Sequence, residues 1–136
     1  MAELRWVERV VVDAIHLGLI REHGGLRGVR DENALESALA RPRHKWQYDE
    51  AADLPALAAA YGFGLCRNHP YRDGNKRVAF VVMVVFLELN GLVFDATEAE
   101  VVTTMLAVAD SRLSESDLAE WLRGHSRRKR RGRGAV

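Results

Sequence analysis

The run Val78-Ala79-Phe80-Val81-Val82-Met83-Val84-Val85-Phe86-Leu87-Glu88-Leu89 carries a single charge, at Glu88. It is too long for an ordinary strand and too short to span a bilayer. Being apolar on every side, it predicts a helix buried all round, the central post of a small bundle. Asn90-Gly91 supplies the stop signal at its C-terminal end. Immediately before it stands a dense polar stretch, His69-Pro70-Tyr71-Arg72-Asp73-Gly74-Asn75-Lys76-Arg77. That stretch therefore lies at the N-terminus of the most buried helix, where free backbone N–H groups and the positive end of the dipole form an anion site. Lys76 and Arg77 oppose that dipole. Helix stability does not account for them, whereas a bound phosphate does.

Asp73 is placed to hold a cation, since magnesium takes one or two carboxylates and completes its shell with water and substrate phosphates. His69, at the end of the preceding helix, is the candidate base. Base, metal carboxylate, N–H cradle and two cations within nine residues are the components of phosphoryl or nucleotidyl transfer. The plainer reading is an Asp73-Gly74 turn followed by solvated cations.

The stretch resembles the Fic/Doc superfamily motif H-x-F-x-[DE]-G-N-[GK]-R, with Tyr71 in place of Phe. The resemblance extends from Ile15 through His23-Gly24-Gly25 to Trp121-Leu122. It implies that His69 takes the proton of a target hydroxyl, Asp73 binds magnesium, Gly74 and Asn75 cradle an anion, and Arg77 binds phosphate. Lys76 stands where AMP-transferring members have Gly and Doc toxins have Lys. Phe80 stands where AMP-transferring members usually carry a second Arg. Both departures imply the Doc branch, toxins of toxin–antitoxin pairs that transfer the γ-phosphate of ATP to proteins. Their known target class is translation elongation factor Tu, and blocked translation is the expected result. A small Phd-like antitoxin is expected to cover the cleft. Some Fic proteins carry an internal inhibitory helix, [ST]-x-x-x-E-[GN]. Its nearest match here, Ser111 to Ser116, ends in Ser and is read as accidental. AMP transfer to a protein hydroxyl is the alternative within the enzyme class.

At 136 residues, nearly half of them apolar, the chain is expected to be one folded domain. The single cysteine, Cys66, excludes an internal disulfide and a cysteine zinc cage, and reads as a packed small hydrophobe. Arg5, Glu8 and Arg9 interrupt any apolar leader, and no run is long enough to cross a membrane, so a cytoplasmic location is expected. Six of the 20 Lys and Arg residues follow His125, where no acid occurs. The preceding part keeps 14 bases against 19 acids. Residues 1–125 are thus expected to form the domain and 126–136 a basic, disordered tail. That tail offers a second alternative, a non-catalytic module binding nucleic acid or the ribosome through its charge.

Spacings near three and four predict an amphipathic helix over Trp6–Glu22, closed by Gly24-Gly25, with His16 inside it as a structural histidine. Asp31 caps a short second helix, ended by Arg41-Pro42. No helical period shows over 43–52. The resemblance implies a flap there that holds an extended target, and the bland reading is a loop with tucked aromatics. Asp53-Leu54-Pro55 starts a third helix whose small residues permit close packing on the 75–90 helix. Thr97 and Glu100 have capping-box spacing, and Ser114 caps a last helix. The sum is an all-α bundle of about six helices, Fic-like, around the 75–90 helix.

Overall fold

The computed structural model describes residues 3–130. Six helices and one small antiparallel ribbon follow in the order α1 (Arg9–His23), α2 (Glu32–Tyr48), α3 (Leu54–Asn68), α4 (Asn75–Leu89), β1 (Leu92–Phe94), α5 (Glu98–Ala109), α6 (Glu115–Gly124) and β2 (Ser126–Arg128). The fold is all-α, as the helical periods require. Local capping chemistry sets the helix starts: Asp31 accepts from the Ala34 amide and Asp53 from the Ala56 amide. Ser114 accepts from Asp117, and Thr97 with Glu100 closes a reciprocal capping box.

Helix α3 is the hub, packing on α2, α4 and α6. Its small residues let α4 approach closely. A Cβ on Gly62 would come within 2.7 Å of Met83 Cγ, a contact that only glycine avoids. One broad face of α4 is fully buried through Val78, Ala79, Val82, Met83, Phe86 and Leu87. The helix is not buried all round, however. Phe80, Val81, Val84 and Val85 are half-buried and Leu89 is 42% exposed. Phe80 and Val81 line a cleft against α5.

Two further expectations are corrected. First, α2 does not end at Pro42 but continues to Tyr48, so 43–48 of the expected flap are helix and only 49–52 form a turn. A proline inside a helix loses one hydrogen bond and crowds the carbonyl four residues back. Here the stripe Leu35, Ala38, Pro42 and Trp46 packs on the core, and Arg43 and Lys45 pair with Glu8 and Glu115. Tertiary packing outweighs the local penalty. Second, Ser126–Arg128, assigned to the basic tail, form β2 in register with β1, Phe94 opposite Ser126 and Leu92 opposite Arg128. The cause is an aromatic cluster at the exit of α6: Trp121 and His125 both pack on Phe94, with centroids 5.1 and 6.0 Å away. The His125 carbonyl accepts from the Asp95 amide (2.9 Å), laying the chain beside β1. Residues 131–136, including Arg131 and Arg133, lie outside the described part.

His125 also carries a pH-dependent tie. Its Nδ1 faces the Trp121 carbonyl at 2.8 Å and its Nε2 faces Glu100 Oε2 at 2.9 Å. The Trp121 carbonyl, followed by Glu100 and Asp95, raises its pKa above the ordinary value of about 6.5. The folded state thus holds this proton more tightly than the unfolded state. The resulting stability is fully present below the ordinary histidine pKa and is lost as pH rises through the raised folded value. Urea unfolding of wild type across that window will show the decline, and His125→Gln will flatten it.

Candidate active site

The polar stretch forms the loop between α3 and α4, and both ends of that loop are left-handed. His69 is the C-cap of α3 with φ 53°, and Gly74 is the N-cap of α4 with φ 78°. The double reversal turns His69 and the first turn of α4 toward the same space. Histidine tolerates the left-handed region better than most residues, and Gly74 adopts it without strain.

Asn75 organises the loop interior. It is 3% exposed. Its Oδ1 accepts from the Tyr71 amide (2.9 Å) and its Nδ2 donates to the Tyr71 carbonyl (3.0 Å). These two bonds fix which end of the amide is which, so Nδ2 donates to His69 Nδ1 at 3.1 Å. The neutral His69 ring therefore keeps its proton on Nε2, and its basic lone pair is on Nδ1. Nitrogen-15 shifts of the neutral protein are expected to show an unprotonated Nδ1 at His69. An unprotonated Nε2 would contradict this geometry.

Asp73 is held from outside the loop. Its Oδ2 accepts from the Leu26 amide (2.6 Å) and its backbone carbonyl lies 2.8 Å from His16 Nε2. Oδ1 has no hydrogen-bond partner among the described residues. The loop backbone is clamped as well. Pro70 O accepts from the amides of Arg30 and Asp31, Arg72 N–H donates to Gly28, and Arg30 Nε donates to the His69 carbonyl. Tyr71 explains its departure from Phe: the hydroxyl donates to Asp13 Oδ1 at 2.7 Å, and burial followed by that carboxylate pushes the phenol well above its usual range.

The first turn of α4 has no side-chain cap, so its N–H groups remain available, and Lys76 and Arg77 are exposed beside them. All six expected residues, His69, Asp73, Gly74, Asn75, Lys76 and Arg77, line one cleft of about 610 Å³. Its far wall is apolar, with Leu19, Phe80, Val101 and Met105, and its size suits a nucleotide-sized ligand. A second cleft of about 630 Å³ lies between α2, α3 and α6. There Arg41 and Lys45 are both spent on Glu115, and the expected flap borders this cleft instead. Among the described residues, no group of three His, Cys, Asp or Glu could hold a metal by itself. One free carboxylate oxygen fits a hard cation whose other ligands come from water and phosphate, and fits zinc or calcium poorly. Cys66 is buried, which pushes its thiol pKa up and takes it out of the chemistry.

His69 at the cap of α3 and the uncapped first turn of α4, joined by one clamped loop, share one cleft, the arrangement that the Fic/Doc resemblance implies. The family comparison agrees: the family model described as Fic/DOC matches residues 6–87, and the chain belongs to that family. The chain is also similar to Toxin Doc of Mycolicibacterium smegmatis (strain ATCC 700084 / mc(2)155), 37% identical over 106 residues, covering 74% of this chain and 81% of the toxin. Sequence reasoning named the loop residues and read His16 as structural without its tie to Asp73, and it did not single out Leu26 or Arg30 as supports. Gly25 was the available signal, since a Cβ there would sit 3.1 Å from that of Asp73. No helix among the described residues is long and apolar enough to cross a membrane.

Proposed function

We propose that the protein is a Doc-type toxin that transfers the γ-phosphate of ATP to a Ser or Thr hydroxyl of a protein, with a translation factor of the elongation factor Tu class as target. The observation that carries this reading is the sharing of one cleft by His69, the free carboxylate oxygen of Asp73, and the uncapped first turn of α4 with its two cations. The name of the similar toxin supports it. Lys76 and Phe80 favour phosphate over AMP transfer, because a cation occupies the AMP-type glycine position and an apolar ring the AMP-type arginine position.

Asp73 Oδ1 would hold Mg2+, which when bound neutralises and orients the phosphates. The N–H groups of the first turn, with Lys76 and Arg77, bind the anion and stabilise charge on the group in transfer. His69 would take the hydroxyl proton as general base. The apolar wall takes the base and ribose.

Inhibition is assigned to a separate Phd-like antitoxin over the cleft. Consistent with this, Ser111–Ser116 span the turn and the first two residues of α6, with Ser111 at φ 62°, and none of them lines the cleft. The test is transfer to purified elongation factor Tu with magnesium, using γ-labelled and α-labelled ATP in parallel. Label from the γ position alone is expected. Label from the α position would establish AMP transfer instead.

A further inference from the structure

We propose that His16, outside the motif, is a positioning residue that aims the carboxylate of Asp73 at the metal. The inference rests on the site reading above. His16 lies in the middle of α1 and is 4% exposed. A polar ring so buried needs a partner, and its Nε2 meets the backbone carbonyl of Asp73 at 2.8 Å. A carbonyl only accepts, so Nε2–H donates. The same ring stacks on Tyr71, centroids 3.8 Å apart and planes 11° from parallel. Three residues earlier on α1, Asp13 accepts from the Tyr71 hydroxyl. Helix α1 thus grips the loop at Tyr71 and Asp73 together.

The grip is completed by the segment after α1. The Leu26 amide holds Asp73 Oδ2, and Gly25, at φ 116°, lets the chain pass close to that side chain. With its carbonyl fixed by His16 and one oxygen fixed by Leu26, Asp73 has a single carboxylate orientation and presents Oδ1. Nothing within the loop itself supplies this orientation. Groups that orient a ligand without touching the metal commonly change metal affinity by about 10- to 100-fold when removed.

The experiment measures Mn2+ binding to the full chain by electron paramagnetic resonance in the presence of a non-hydrolysable ATP analogue. Asp73→Asn defines binding without the carboxylate. His16→Phe keeps a stacking ring and loses the donor, and His16→Met fills the space flexibly without a donor. His16→Gln restores an N–H at similar reach. The expected result is Mn2+ affinity weakened about 10-fold or more in the donor-less variants, approaching Asp73→Asn, with circular dichroism unchanged and recovery in His16→Gln. Wild-type affinity in folded His16→Phe or His16→Met overturns the proposal, as does equal weakening in His16→Gln. Failure of both donor-less variants to fold, with His16→Gln binding normally, assigns His16 to the fold alone and also overturns it. Wild type binding Mn2+ no better than Asp73→Asn removes the site reading itself, a result distinguishable from the others.

Discussion

His69→Ala is expected to lower transfer by about 10²- to 10⁴-fold, the range associated with removal of a positioned base. The fold should survive, because the side chain is exposed and its one hydrogen bond to a side chain is with Asn75. Asn75 keeps both bonds to Tyr71 in the variant, so the loop retains its internal bracket. The left-handed backbone at residue 69 is a confounder, since alanine is less at ease there than asparagine. His69→Asn addresses it by preserving the backbone while lacking the basic nitrogen. Both variants should lose turnover and keep nucleotide binding, measured by label transfer and by calorimetric titration with the ATP analogue. A folded variant with wild-type turnover would remove His69 from the chemistry.

The largest expected stability effect lies at the opposite end of α4. Phe86 is fully buried, and its ring packs against Trp6 at 5.8 Å and Tyr61 at 5.3 Å between centroids. Tyr61 in turn accepts from the Val7 amide through its hydroxyl, so this cluster ties the chain before α1 to α3 and α4. Phe86→Ala leaves a cavity where little can collapse and should cost about 3–5 kcal/mol. Set against a typical total of about 5–15 kcal/mol, that is a large share. The thermal midpoint is expected to fall by roughly 10 to 20 °C. Transfer per folded molecule at low temperature should stay near wild type, because the 69–77 loop sits three turns away at the start of the same helix. A stable Phe86→Ala protein would mean that the Trp6, Tyr61 and Phe86 cluster does not tie the chain before α1 to α3 and α4.

What could be read from the sequence, and what could not, divides along physical lines. Capping is local, and Asp31, Asp53, Thr97 with Glu100, and Ser114 all cap the helices their positions suggested. The 69–77 loop was legible for the same reason: its nine residues are consecutive, and the apolar run behind them places it at a helix start. Pro42 misled because its local penalty is visible in the sequence, while the packing of Ala38 against Gly64 that offsets it is not. A Cβ on Gly64 would come within 3.2 Å of Ala38 Cα, so the two helices nearly touch there. The ribbon was missed because β2 is three residues of mostly basic character, with nothing of a strand pattern. Its pairing comes from His125 and Phe94, 31 positions apart. His16 read as structural because its partner, the Asp73 carbonyl, lies 57 residues on. Contacts that close long loops leave no local trace in composition or period.

The most direct measurement is the intact mass of elongation factor Tu after incubation with this protein, magnesium and ATP, alongside His69→Ala. The account predicts a gain of one phosphate, absent with the variant. A gain of one AMP would contradict the γ-phosphate assignment and transfer the role of Lys76 to AMP chemistry. A phosphate gain that persists with His69→Ala would contradict the site itself.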